Sequence, residues 1–157
     1  MAHTVCFTGH RPNKIADVSL VQASLEKAIA SAIATGYTNF IVGGALGVDT
    51  WAALAVIRAR KSHPHIRLFV AVPFRGFTSR WSPFSRSQFA QIIRCCDGFR
   101  VCSDSPSKSA YHVRNRFMVD SSDLVIACWN GDSSGGTAST VRYAHSQGIP
   151  IINCYPD

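Results

Sequence analysis

Short apolar blocks alternate along the chain with longer segments whose apolar residues recur at about 3.6 residues, the two signatures of strand and helix. Thr4-Val5-Cys6-Phe7-Thr8, closed by Gly9, predicts a buried strand. Between Ser19 and Thr35, the residues Val21, Leu25, Ala28, Ile29, Ala32 and Ile33 share one helical face. Ser19 with Gln22 fits a capping box, and Gly36 fits the C′ stop. Phe40-Ile41-Val42 predicts a second strand, a helix follows from Asp49 to about Lys61, and Ile66 to Val72 predicts a third strand. Phe74 to Pro83 has no period and is read as a loop. A shorter helix over Ser85 to Cys95 precedes a fourth strand, Phe99 to Cys102. After a polar turn come a helix over Tyr111 to Val119 and a fifth strand, Leu124 to Cys128. A Gly/Ser/Asp loop leads to a last helix, Thr137 to Gln147, stopped by Gly148 and Pro150. A short final strand lies within 149–153.

Strands that alternate with helices imply right-handed βαβ units and a mostly parallel sheet covered on both faces. The predicted class is α/β, a Rossmann-like three-layer sandwich. The 157 residues suit one domain, 1–157, large enough to bury a core without disulfide or metal. A hydrophobic fraction of 46% excludes a disordered chain. No apolar run reaches the ~20 residues of a membrane span, so no membrane partner is expected. Met1 to Val5 has no basic leader and runs straight into a strand, which predicts a cytoplasmic protein. The six cysteines form no C-x-x-C pair, and His63-Pro64-His65 lacks cysteines at a zinc spacing. Reduced thiols, no metal and no cofactor are expected.

Charge changes this picture. The net charge is +7, and nine basic residues against one acid lie between Arg58 and Arg100. Such an excess points to an anionic partner: a phosphorylated small molecule or a nucleic acid. Ligands of these sheets bind beyond the carboxyl ends of the strands, so the residues after each strand carry the candidate chemistry. Gly9, His10 and Arg11 follow the first strand; Gly43, Gly44, Gly47 and Asp49 the second; Arg75 the third; Asn130, Gly135, Gly136 and Thr137 the fifth. Gly135-Gly136-Thr137 before a helix lets backbone N–H groups approach a phosphate, and Gly43-Gly44 before the Asp49 helix is a second such junction. Neither fits G-x-G-x-x-G or G-x-x-x-x-G-K-[ST]. Arginine outnumbers lysine twelve to four, and its fork matches phosphate. Arg11, Arg75, Arg114 and Arg116 lie near strand ends or helix starts. Asp49 has two readings, an acceptor for a ribose hydroxyl or a helix cap. Asp120 and Asp123 flank the fifth strand. Phe74, Phe77 and Trp81 are read either as base-stacking groups or as core.

Phe7-Thr8-Gly9-His10-Arg11-Pro12, Gly43-Gly44-Ala45-Leu46-Gly47-Val48-Asp49-Thr50-Trp51, Arg114-Asn115-Arg116-Phe117-Met118-Val119-Asp120 and Gly135-Gly136-Thr137 together resemble the YpsA-like branch of the SLOG superfamily. The resemblance spans nearly the whole chain. It implies a Rossmann-like domain associated with nucleotides and ADP-ribose-type derivatives, in a superfamily that also holds LOG phosphoribohydrolases and the DNA-binding DprA proteins. On this likeness Gly43, Gly44, Gly47 and Asp49 match the second-strand motif. Gly135, Gly136 and Thr137 match the phosphate-binding turn, and Arg114, Asn115 and Asp120 the element before the fifth strand. The glutamate of the LOG pattern P-G-G-x-G-T-x-x-E falls on Thr140 here, and the one glutamate of the chain is Glu26.

Three functions follow. The first is binding of a nucleotide or ADP-ribose-like ligand by Gly9, His10, Arg11, Gly43, Gly44, Gly47, Asp49, Arg75, Arg114, Asn115, Asn130, Gly135, Gly136 and Thr137. The second is N-glycosidic hydrolysis of a nucleotide, with Asp49 and Asp120 as candidate catalytic carboxylates. The third is single-stranded nucleic-acid binding by the basic middle. A homo-oligomer is also expected.

Overall fold

The computed structural model describes residues 3–156. Six strands, β1 (Thr4–Gly9), β2 (Asn39–Val42), β3 (Arg67–Val72), β4 (Gly98–Val101), β5 (Leu124–Cys128) and β6 (Ile151–Asn153), form one sheet. All five pairings are parallel and the order is β4-β3-β2-β1-β5-β6. Five helices connect them: α1 (Val18–Ala34), α2 (Val48–Ala59), α3 (Pro83–Cys95), α4 (Lys108–Asp120) and α5 (Gly135–Ser146). The architecture is the α/β sandwich that the alternating pattern predicts.

Side chains alternate across the sheet with a period of two, so each strand feeds two cores. Val5, Phe7, Phe40, Val42, Leu68, Val70 and Ile126 bury one face under α1, α2 and α3. Cys6, Ile41, Ala71 and Val125 bury the other under Met118 and Val119 of α4 and Ala144 of α5. β5 is buried at every position, as expected of a parallel strand covered on both sides. The connection from β4 through α4 carries the chain from the sheet edge across to β5, beside β1. The strand order therefore reverses between β1 and β5, and a crevice opens beyond their carboxyl ends.

The helix ends match the sequence pattern better than the starts. The Gly36 N–H donates to Ile33 and the Tyr37 N–H to Ala32, and Gly148 and Ile149 repeat the pattern on His145 and Ala144. At the start of α1 the cap is Asp17, whose carboxylate accepts from the Leu20 N–H at 3.1 Å, in place of the predicted Ser19 box. α3 begins at Pro83, where the missing N–H costs nothing, and Ser82 caps it. α4 begins at Lys108 under Ser107, three residues ahead of the expected Tyr111. These first turns are solvated, so they contribute nothing to the apolar period used to place them.

Candidate functional site

At the β1–β5 reversal lies a cleft of about 610 Å³. Three segments wall it. The turn after β1 supplies Gly9, His10, Arg11 and, from a single 3-10 turn over Pro12–Lys14, Lys14. α4 supplies Tyr111, His112, Arg114 and Asn115, and the start of α5 supplies Ser134 through Thr137, with Ser139 and Arg142 further along. Four cationic side chains and two histidines line the cleft, and among the described residues no carboxylate does.

The α5 start, like that of α2, has no side-chain cap. Ser134, the N-cap residue, turns its hydroxyl to Asp132 Oδ1 at 3.0 Å, and its N–H bonds the same oxygen at 3.0 Å. No side chain therefore claims the N–H groups of the first turn, and they carry the positive end of the helix dipole. Nothing lies within 4 Å of where a Cβ on Gly136 would stand.

Arg114 is the buried member of the cation set, at 5% exposure. Its Nη1 donates to the Gly43 carbonyl and, at 3.3 Å, to the Ala71 carbonyl, while Nε donates to Asn115 Oδ1 at 2.8 Å. It thus ties α4 to the ends of β2 and β3. Burial lowers its pKa below the ordinary guanidinium value, and nearby Asp49 opposes that shift. A Cβ on Gly43 would stand 2.8 Å from both Arg114 Nη1 and Asp49 Oδ2, so only glycine leaves room for this arrangement. Asp49 is buried behind the cleft, with Oδ2 accepting from the Ala45 N–H at 3.2 Å and Oδ1 without a partner. Burial raises its pKa above the usual carboxylate value, offset in part by Arg114.

His10 is also buried, and its Nε2 accepts from the Asn130 N–H at 3.1 Å. Burial lowers its pKa, and the acceptor role needs the same neutral ring, with the proton on Nδ1. The imidazole therefore clamps the β5–α5 loop to the β1 turn. Its contribution to stability is complete above the ordinary histidine pKa and is lost as pH falls through the lowered folded value. The melting-temperature difference between the wild type and His10→Gln is expected to narrow from about pH 8 towards about pH 5. A difference constant across that range contradicts the clamp.

The structure gathers eight of the expected residues in the cleft: Gly9, His10, Arg11, Arg114, Asn115, Gly135, Gly136 and Thr137. Gly43, Gly44, Gly47, Asp49, Arg75 and Asn130 are not among its lining. The second glycine junction has a packing role. A Cβ on Gly44 would meet Phe89 at 2.9 Å, and one on Gly47 would meet the His10 carbonyl oxygen at 2.6 Å. Arg75 is exposed on the β3–α3 loop, and Asn130 acts through its backbone on His10. Neither candidate catalytic carboxylate lines the cleft. Asp49 is sealed beneath it, and Asp120 is exposed at the end of α4, accepting from the Tyr143 hydroxyl at 2.7 Å. Thr140 is buried and donates to the Gly136 carbonyl at 2.9 Å.

Phe77, Trp81 and Phe89 pack edge-to-face on one another at centroid distances of 5.3 to 5.9 Å. Phe74 meets Tyr111 in the same way at 5.7 Å. In the basic middle, Arg58 pairs with Glu26, and Arg60 and Arg67 with Asp97. Lys14, Tyr111, His112, Ser139 and Arg142 were absent from the sequence-derived set. Tyr111, Arg114 and Asn115 stand at i, i+3 and i+4, a shared helix face that the spacing alone carries. Among the described residues no group of three or more His, Cys, Asp or Glu is placed to hold a metal, and no helix is long and apolar enough to cross a membrane.

The sequence profile of the YspA SLOG family, YpsA, matches residues 5–149. The chain belongs to this family. Within the wider set of similar proteins, this SLOG chain is 31% identical over 133 residues to the uncharacterized SPbeta prophage-derived protein YoqJ of Bacillus subtilis, covering 76% of this chain and 77% of that one. It is 29% identical over 129 residues to the UPF0398 protein BH1768 of Halalkalibacterium halodurans, covering 81% and 68%. A UPF0398 protein of Bacillus cereus aligns over 157 residues at 24% identity, covering 92% of this SLOG chain.

Proposed function

We propose that this SLOG domain binds a nucleotide or an ADP-ribose-like derivative through its phosphate and does not cleave it. The observation that carries the reading is the lining of the cleft: Arg11, Lys14, Arg114 and Arg142 with no carboxylate among the described residues, around an uncapped glycine helix start. Such a start offers several N–H donors and a positive dipole end to one anion, and the arginine forks add charge-assisted bonds. His10, neutral and held by Asn130, keeps one wall of the cleft in place. N-glycosidic hydrolysis needs a carboxylate at the sugar, and the positions of Asp49, Asp120 and Thr140 speak against it. Six free cysteines fit a reducing, cytoplasmic setting.

Calorimetric titration of the chain with AMP, ADP-ribose and adenosine tests this. The phosphorylated ligands are expected to bind at least about tenfold more tightly than the nucleoside, and chromatography is expected to find no free base afterwards. Equal binding of adenosine and AMP would remove the phosphate from the account. Release of adenine would make the protein a hydrolase.

A further inference from the structure

α3, α4 and α5 each start on a serine in extended backbone: Ser82, Ser107 and Ser134. A serine at that place turns its hydroxyl oxygen to the N–H two or three residues on and so caps the helix. Ser82 accepts from the Ser85 N–H at 3.2 Å, and Ser107 from the Ala110 N–H at 3.1 Å. Ser134 makes no such bond, although its φ of −100° and ψ of 160° suit a cap as well as theirs. The difference is Asp132. Its Oδ1 accepts both the Ser134 N–H and the Ser134 hydroxyl, each at 3.0 Å. Among the described residues no carboxylate takes the hydroxyl of Ser82 or Ser107.

Asp132 is itself held from two further sides. Its N–H donates to Asn130 Oδ1 at 2.9 Å, and its carbonyl accepts from Trp129 Nε1 at 2.8 Å. It is exposed and is not part of the cleft lining. A second observation, independent of the helix start, points to an anion in the same cleft. Arg114 is 5% exposed and lines it, with Nε and Nη1 engaged by Asn115, Gly43 and Ala71. Its Nη2 has no partner among the described residues and remains accessible. A guanidinium held so deeply, with one end of its fork unspent, is a place for an oxygen of the ligand.

From this we infer that Asp132 is a positioning residue of the phosphate site: by taking the Ser134 hydroxyl it keeps α5 uncapped and its first N–H groups open to the anion. The donors that a Ser134 cap would reach are the N–H groups of Gly136 and Thr137, two and three residues on. Cap and phosphate therefore compete for the same atoms. The inference rests on the reading that a phosphate sits at the α5 start. It also sets a sign that charge alone would reverse. An exposed carboxylate near an anion site repels the anion, so on charge its removal tightens binding. On this account its removal frees Ser134 to cap the helix, and binding weakens.

Calorimetric titration of the wild type and three variants with AMP tests it. Asp132 and Ser134 are both exposed, so the substitutions leave the core untouched. Asp132→Ala is expected to bind AMP about fivefold more weakly, the factor that corresponds to a serine cap of about 1 kcal/mol. Asp132→Asn keeps an acceptor oxygen for the Ser134 hydroxyl and should rescue the affinity. The double variant Asp132→Ala, Ser134→Ala has no hydroxyl left to cap with and should recover what Asp132→Ala loses. General loosening of the loop would not be repaired by that second substitution. The inference is overturned if Asp132→Ala binds as tightly as the wild type or more tightly, if Asp132→Asn loses as much as Asp132→Ala, or if the double variant stays weak. In those cases binding of AMP by the wild type leaves the phosphate reading standing. If the wild type does not bind AMP, both fall.

Discussion

Replacing Arg114 by alanine is expected to cost about 3–5 kcal/mol of folding stability, the range seen when one partner of a buried charge arrangement is removed. The guanidinium is 5% exposed and meets the Gly43 and Ala71 carbonyls and Asn115 Oδ1. Its loss leaves two carbonyls at the ends of β2 and β3 without this partner and takes from Asp49 the cation that most offsets its burial. A cavity remains where the side chain lay, next to the cleft floor. Urea denaturation reads the effect as a lower midpoint. In the double variant Arg114→Ala, Asp49→Ala, the cost should be smaller than the sum of the two single costs, because the second substitution removes the carboxylate that the first left exposed to burial alone. Additive costs, or a loss below about 1 kcal/mol for Arg114→Ala, would mean that the two groups do not interact.

Gly47→Ala is the second large effect, expected at about 2–4 kcal/mol from backbone strain and overpacking together. The residue has φ +89° and ψ −123°, a conformation that side chains resist. Its added Cβ would stand 2.6 Å from the His10 carbonyl oxygen and 3.1 Å from Arg11 Cα. Backbone atoms cannot rotate away, so the substitution pushes the β1 turn itself and with it two residues of the cleft. Weaker nucleotide binding should accompany the lower stability. Gly76→Ala is the internal control, because Gly76 has φ +81° with nothing within 4 Å of its would-be Cβ. It should show the strain of the backbone alone, about 1–2 kcal/mol. Equal costs for the two variants would rule out the steric contact as the cause.

Gly47 also explains which parts of this protein are legible in its sequence. The sheet is written in its buried strands: Leu124 to Cys128 is apolar at every position and forms β5 with those bounds. Helix stops at Gly36 and Gly148 are equally plain, since each glycine takes a positive φ. Helix starts are harder to place, because Asp17, Ser82 and Ser107 act through polar atoms that leave no apolar period. At the site, the β1 and β5 junctions follow from the rule that ligands gather at strand ends, and both wall the cleft. The β2 junction carries the same glycine signal for another reason. A glycine that admits a phosphate and one that admits a neighbouring backbone read alike, and only the strand order separates them. β2 lies one strand away from the reversal between β1 and β5. The carboxylates follow the same logic: Asp49 follows the β2 junction in the first turn of α2, yet it is buried near Arg114 and does not line the cleft.

The positive excess of the basic middle is paired in part. The basic middle satisfies Glu26 and Asp97 through Arg58, Arg60 and Arg67. The cations of the cleft, Arg11, Lys14, Arg114 and Arg142, all come from outside that stretch.

The most direct test of phosphate binding at the α5 start is Gly136→Asp. A Cβ at Gly136 meets nothing within 4 Å, so the side chain enters without a clash. A carboxylate in the first turn of a helix stabilises it by about 0.3–1 kcal/mol through the dipole. The same charge occupies the place proposed for the phosphate. The account predicts a folded variant whose melting temperature equals or exceeds that of the wild type and whose calorimetric titration with AMP gives no measurable binding. A folded Gly136→Asp protein that binds AMP as tightly as the wild type would contradict it.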